Sequence, residues 1–132
     1  MNIFNFVNQY ANQIGGQFTD YNHEKAVVVI PLDNERFQTI LCITQKSSIS
    51  GKEQVLFTSK VCEWHDDLDA KELLNQNAAF DYAKFILDDN FLKIETSCLA
   101  GSATEEQIKE MIQEVATQAD LFELKYTGED VH

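Results

Sequence analysis

Apolar residues stand at Ile3, Phe4, Phe6, Val7, Tyr10, Ala11 and Ile14, with Asn5, Asn8, Gln9, Asn12 and Gln13 between them. At 100° per residue the apolar set fills one arc of about 160°, which predicts a short amphipathic helix. Gly15-Gly16 ends it, because glycine adopts the left-handed turn that closes a helix. After a polar stretch, residues 25–32 (KAVVVIPL) are rich in β-branched side chains and predict a strand. Pro31 has no N–H to donate and belongs at the end of that strand or on a sheet edge. Asp33-Asn34-Glu35 supplies a turn, and residues 36–45 alternate Phe37, Thr39, Leu41 and Ile43 against Gln38, Ile40, Cys42 and Thr44. The small, polar loop 46–52 leads to a third strand over 54–64. These three strands form an antiparallel meander.

His65-Asp66-Asp67 breaks the alternation, and residues 68–79 carry Ala70, Leu73, Leu74 and Ala78 at helical spacing, with Asp66 or Asp67 as the N-cap. Residues 83–87, the turn Asp88-Asp89-Asn90 and residues 91–99 make a second hairpin. The strongest helix comes last. Thr104-Glu105-Glu106-Gln107 opens it as a capping box, Ile108, Met111, Ile112, Val115, Ala119, Phe122 and Tyr126 form its stripe, and Gly128 ends it. The order α-β-β-β-α-β-β-α, without repeat or linker, predicts one α+β domain over 1–132 in which helices pack on an antiparallel sheet.

With this order, the sequence LLNQNAAFDYAKFILDDNFLKIETSCLAGSATEEQIKEMIQEVATQADLFE over 73–123 resembles the type III secretion chaperone-like superfamily (Tir-chaperone, CesT-like), including its YbjN branch. There a helix ends in Leu-Leu-x-x-Asn, a hairpin carries a short acidic turn, and a capped amphipathic helix finishes the domain. Here those parts are Leu73-Leu74-Asn75-Gln76-Asn77, the hairpin around Asp88-Asp89-Asn90, and the helix from Thr104. Element order extends the resemblance over nearly the whole chain. It implies a small acidic homodimer that binds another polypeptide, as an extended segment laid over apolar patches on the first helix and the sheet.

Charge narrows the range of partners. Ten Lys+Arg stand against 22 Asp+Glu, a net charge of −12 at pH 7, and Arg36 is the only arginine. Nucleic-acid binding depends on basic side chains neutralising phosphates, so no nucleic-acid partner is expected. An anionic membrane surface is disfavoured by the same repulsion, and no apolar run approaches the ~20 residues needed to span a bilayer. Met1-Asn2-Ile3-Phe4-Asn5-Phe6 lacks both the positive flank and the apolar run of a secretory signal, so the expected location is the cytoplasm. Cys42, Cys62 and Cys98 show no CxxC spacing, fall in predicted strands, and read as small buried hydrophobes in a reducing compartment. The acid is unevenly spread, with −2 over residues 1–66 and −10 over 67–132, and no charged side chain lies between Asn2 and Thr19.

Candidate chemistry is sparse. The histidines are His23, His65 and His132. Cys62-Glu63-Trp64-His65 holds a thiol and an imidazole three apart, but strand alternation puts Cys62 and Trp64 on one face, so the pair does not converge. Glu63, His65, Asp66, Asp67, Asp69 and Glu72 could attract a hard cation, yet they lack the glycine and spacing of a calcium loop and read better as a capped helix start. Gly15-Gly16 ends a helix where a phosphate loop would begin one, and no Gly-x-Ser-x-Gly elbow is present. The expectation is therefore a protein without cofactor, metal or catalysis.

The first helix stands out because its polar face is Asn and Gln alone, with Phe4 and Phe6 at the borders of its apolar arc. Such a helix could dock on another chain without desolvating a charge, or it could simply pack on the sheet. Phe4, Phe6 and Tyr10 are the candidate partner-binding residues. Along the last helix Glu106–Glu110 and Glu110–Glu114 repel at i,i+4 spacing, which makes its exposed stripe a solvated face or a docking face for a basic partner. The leading reading is a non-catalytic polypeptide-binding protein. The alternatives are an acidic decoy or regulator of a basic partner, and a sensor or structural domain on the same fold.

Overall fold

Asn2 caps the first helix, α1 (Ile3–Gln13), by accepting a hydrogen bond from the Asn5 amide at 3.1 Å, satisfying one of the donors a helix start leaves open. The structure, a computed structural model, describes residues 1–128, so His132 lies outside the described residues. Gly15, at φ +79°, takes the left-handed position after α1. Gly16 then passes so close to the next strands that an added Cβ would collide with the Val29 carbonyl oxygen.

Four strands follow in an antiparallel meander: β1 (Gln17–Asn22), β2 (Lys25–Pro31), β3 (Phe37–Lys46) and β4 (Glu53–Glu63). The stretch expected to be merely polar is therefore a strand. Five of its six residues are exposed, so no buried alternation marks it. The traces it leaves in the sequence are Phe18, Thr19 and Tyr21, and the Asn22 turn, where the side chain accepts from the Glu24 and Lys25 amides at 2.7 and 3.0 Å.

The helix α2 (Ala70–Asn77) starts two residues later than its spacing predicts, because the cap is Asp69 and not Asp66 or Asp67; Asp69 accepts from the Lys71 and Glu72 amides at 3.0 and 3.2 Å. The hairpin β5 (Lys84–Asp88) and β6 (Phe91–Leu99) then joins the sheet through β6, which pairs with β4 and leaves β5 outermost. The sheet order is β1-β2-β3-β4-β6-β5. Two hairpin turns place consecutive residues in the left-handed region, Asn34 and Glu35 in one, Asp89 and Asn90 in the other. This mirror-image turn matches the twist of the flanking strands. Thr104 caps α3 (Glu105–Thr127) through the Gln107 amide at 3.1 Å, and Gly128 at φ +72° closes it.

The architecture is the expected α+β class with one strand more. Along one face of the sheet Ala26, Val28, Ile30, Ile40, Phe57 and Ile94 are fully buried. Burial of a side chain such as Phe57 contributes about 1.5–3 kcal/mol relative to leaving it in water. Over this face α3 packs on β3, β4 and β6, α1 on β1 and β2, and α2 on β5. Gln38, also fully buried, donates to Ser59 Oγ at 3.0 Å and the Lys60 carbonyl at 3.3 Å, and Ser59 Oγ donates to the Thr39 carbonyl at 2.7 Å. Next to this network the β4–β6 register shifts between Lys60 and Cys62, so Val61 and Cys62 are both buried. The buried residues of all three helices belong to one core cluster, so among the described residues no helix lies on the opposite face of the sheet.

Candidate functional site

The three aromatic residues singled out on α1 have different surroundings. Phe4 is half-buried and meets Phe18 of β1 edge-on, with ring centroids 6.2 Å apart. Phe6 and Tyr10 are 9% and 8% exposed and stack on each other at 6.4 Å. The Lys109 ammonium of α3 lies 6.0 and 5.8 Å from their rings, and Gln113 donates to the Tyr10 hydroxyl at 2.8 Å. Phe6 and Tyr10 thus sit against α3, while Phe4 is at the rim. Beside it opens a cleft of about 560 Å³, lined by Met1, Phe4, Asn5, Asp20, His23 and Glu53 among others. The helix face next to that cleft exposes Asn5, Asn8, Gln9 and Asn12 and carries no charge.

The acidic stripe of α3 is put to internal use. Glu114 accepts three backbone hydrogen bonds, from Asp81 at 2.7 Å, Tyr82 at 2.8 Å and Ala83 at 2.6 Å. The Tyr82 hydroxyl donates to Glu110 at 3.0 Å, and that bond raises the Tyr82 pKa above its usual value. Two carboxylates that should repel at i,i+4 are therefore both held by donors on the segment before β5. The only arginine is also spoken for: Arg36 Nε and a terminal guanidinium nitrogen reach Asp120 Oδ2 at 3.0 and 2.9 Å, and Asp120 is 4% exposed.

The thiols and imidazoles do not assemble. Cys62 is buried and His65 is exposed, and among the described residues no group of three His, Cys, Asp or Glu side chains could hold a metal ion. Burial raises the pKa of Cys42 most strongly, and raises those of Cys98 and Cys62, the latter helped by the Glu123 charge. Since the thiolate is the reactive form, Cys42 is expected to resist iodoacetamide in the folded protein, with half-buried Cys98 alkylated first. Peptide mass mapping over time checks the order, and early modification of Cys42 would contradict its burial. No helix among the described residues is long and apolar enough to cross a membrane.

The six-stranded antiparallel sheet, with helices before, between and after its strands and their buried faces in one core, is a fold shared with a solved structure. In particular, the chain is similar to a chain in the structure of the heterodimeric complex ExoU-SpcU from the type III secretion system of Pseudomonas aeruginosa. The TM-score is 0.61 at 13% identity, over 88% of this chain and 93% of that one. No family model and no curated protein matches the sequence.

Proposed function

We propose that this chain binds another polypeptide, without catalysis, and works in the cytoplasm as a homodimer. The observation that carries the reading is the fold shared with a chain from a solved heterodimeric complex. The uncharged α1 surface supports it, because a partner segment can be seated along that helix without stripping water from a charge, beside a cleft that presents Asp20 and Glu53. Phe4 is the contact residue at the rim. Phe6 and Tyr10 do not line that cleft; packed against α3, they anchor the helix that carries Phe4.

Phe4→Asp and Asn5→Lys are the variants to test, because Phe6→Asp would bury a carboxylate and unfold the helix instead of probing its surface. Each is expected to weaken capture of the cognate polypeptide from native lysate by about tenfold, the effect of 1.4 kcal/mol. Unchanged capture by both variants would remove α1 from the binding surface. Light scattering of the isolated protein is expected to give twice the 15.1 kDa chain mass, and a monomer at micromolar concentration would refute the homodimer.

A further inference from the structure

The two edges of the sheet are finished differently. At β5 the Phe85 amide donates to Asn77 Oδ1 at 2.6 Å, α2 packs against the strand, and Lys84 and Asp88 put charges on it, all of which blunt an edge against pairing. β1 has no such cover. The Thr44 amide donates to the Glu24 carbonyl at 2.9 Å and the Leu32 amide to the Arg36 carbonyl at 2.8 Å, so the even-numbered residues of β2 bond to β3 and the odd-numbered ones to β1. Val27 and Val29 stand opposite Thr19 and Gln17. Phe18 and Asp20 therefore turn their N–H and C=O groups outward, and among the described residues nothing bonds to them. β1 contains neither lysine nor proline, the usual guards of a bare edge. Its register shift comes only after Asp20.

The helix flank above this edge is also without charge. Phe6 and Tyr10 face α3 and Phe4 meets Phe18, so at 100° per residue the flank beyond Phe4 carries Asn8 and Asn12, both exposed, with Asn12 Nδ2 donating to Asn8 Oδ1 at 3.1 Å. Asp20 is the only charged residue of β1. In a chain of net charge −12, this is where two like-charged molecules can meet with least repulsion.

We propose that β1 pairs antiparallel with β1 of a second copy, across a twofold axis at Thr19 that joins the two sheets edge to edge. The inference rests on the homodimer proposed above and names its interface. An axis normal to the sheet keeps every side chain on its own face. Thr19 then meets its twin, a favourable cross-strand pair, Gln17 meets the second copy's Tyr21, and Phe18 exchanges backbone hydrogen bonds with the second copy's Asp20, using the groups that point outward. An axis at Asp20 would set acid against acid, and one at Phe18 would run the pairing back into Gly16, outside β1.

The test uses the full chain. Thr19 is exposed, and in a pair that shares no hydrogen bond its Cα lies about 4.5 Å from its twin, within disulfide reach. Thr19→Cys is expected to give a disulfide-linked dimer on mild air oxidation. Gln17→Cys, equally exposed, is the control, because its twin lies about 13 Å away along the strand, too far to bridge. Wild type, with Cys98 half-buried, sets the background. Thr19→Lys puts two ammonium groups face to face, and should raise the dimer dissociation constant by about tenfold or more with an unchanged circular dichroism spectrum. A wild-type dimer in which Thr19→Cys links no better than Gln17→Cys, or which Thr19→Lys leaves intact, would overturn this interface and leave the homodimer standing. A wild-type monomer would remove both. A monomer whose Phe18 and Asp20 amides exchange slowly only with the captured polypeptide present would also overturn the proposal, since a strand of that partner would then be the occupant.

Discussion

Asp120→Ala is expected to lower stability by about 3 kcal/mol, the lower end of what breaking a buried ion pair costs. Asp120 is 4% exposed and both its oxygens lie within 3.3 Å of Arg36, so its loss deprives a guanidinium of the carboxylate that offsets its desolvation. The Arg36 side chain keeps 30% of its surface exposed and can turn partly to water, which holds the effect below the upper end of the range. Arg36→Met/Asp120→Leu removes both charges and should recover part of the loss. Urea denaturation measures the cycle. A loss under about 1 kcal/mol in the single variant, the worth of an exposed pair, would mean that the bridge does not tie the β2–β3 hairpin to α3.

Glu114→Ala comes next, at about 2 kcal/mol, because it leaves three backbone amides without their acceptor. Asp81 and Tyr82 are exposed, so water replaces the carboxylate there, whereas Ala83 is 7% exposed and its N–H is left unsatisfied. Glu114→Gln keeps one acceptor oxygen and should lose about half as much. Hydrogen exchange at Ala83 is expected to speed up along with the fall in stability. An Ala83 amide protected equally well in wild type and Glu114→Ala would show that β5, and not the carboxylate, orders the segment.

The residues that made the fold legible are those with local signals. β6 alternates from Phe91 to Thr96 because one side of it is covered, and it runs over the 91–99 stretch that the sequence marks. Thr104 and Gly128 bracket α3 because capping is a matter of a few neighbouring residues. β1 escaped since an exposed edge strand has no hydrophobic side to bury. Asp69 was obscured by Asp66 and Asp67, three competitors for one cap in four positions.

The surface was harder to read. The arc of α1 shows which side is apolar but not how far α3 reaches across it, and that reach separates Phe6 and Tyr10 from Phe4. Arg36 and Asp120 are 84 positions apart, and Glu114 is more than 30 from the amides it holds, so no local window contains either bond. One clue was present in the like-charged Glu110 and Glu114, a pairing that weakens an isolated helix and makes sense once donors stand opposite. The apolar half of the uncovered face was also visible, as Val27, Leu41 and Ile43 alternating with core residues, but alternation does not tell which of two apolar sides receives the helices.

The position of α3 after every strand has a bearing on synthesis. Ile108, Met111, Ile112, Val115, Ala119 and Phe122 are the side chains that close the middle of the core, and they leave the ribosome only after β6. Until then the nascent sheet would have its central strands bare on both sides, the condition in which strand-rich intermediates aggregate. The chain itself therefore has a stage, lasting seconds at ordinary elongation rates of roughly 5–20 residues per second, when its sheet is most open to aggregation.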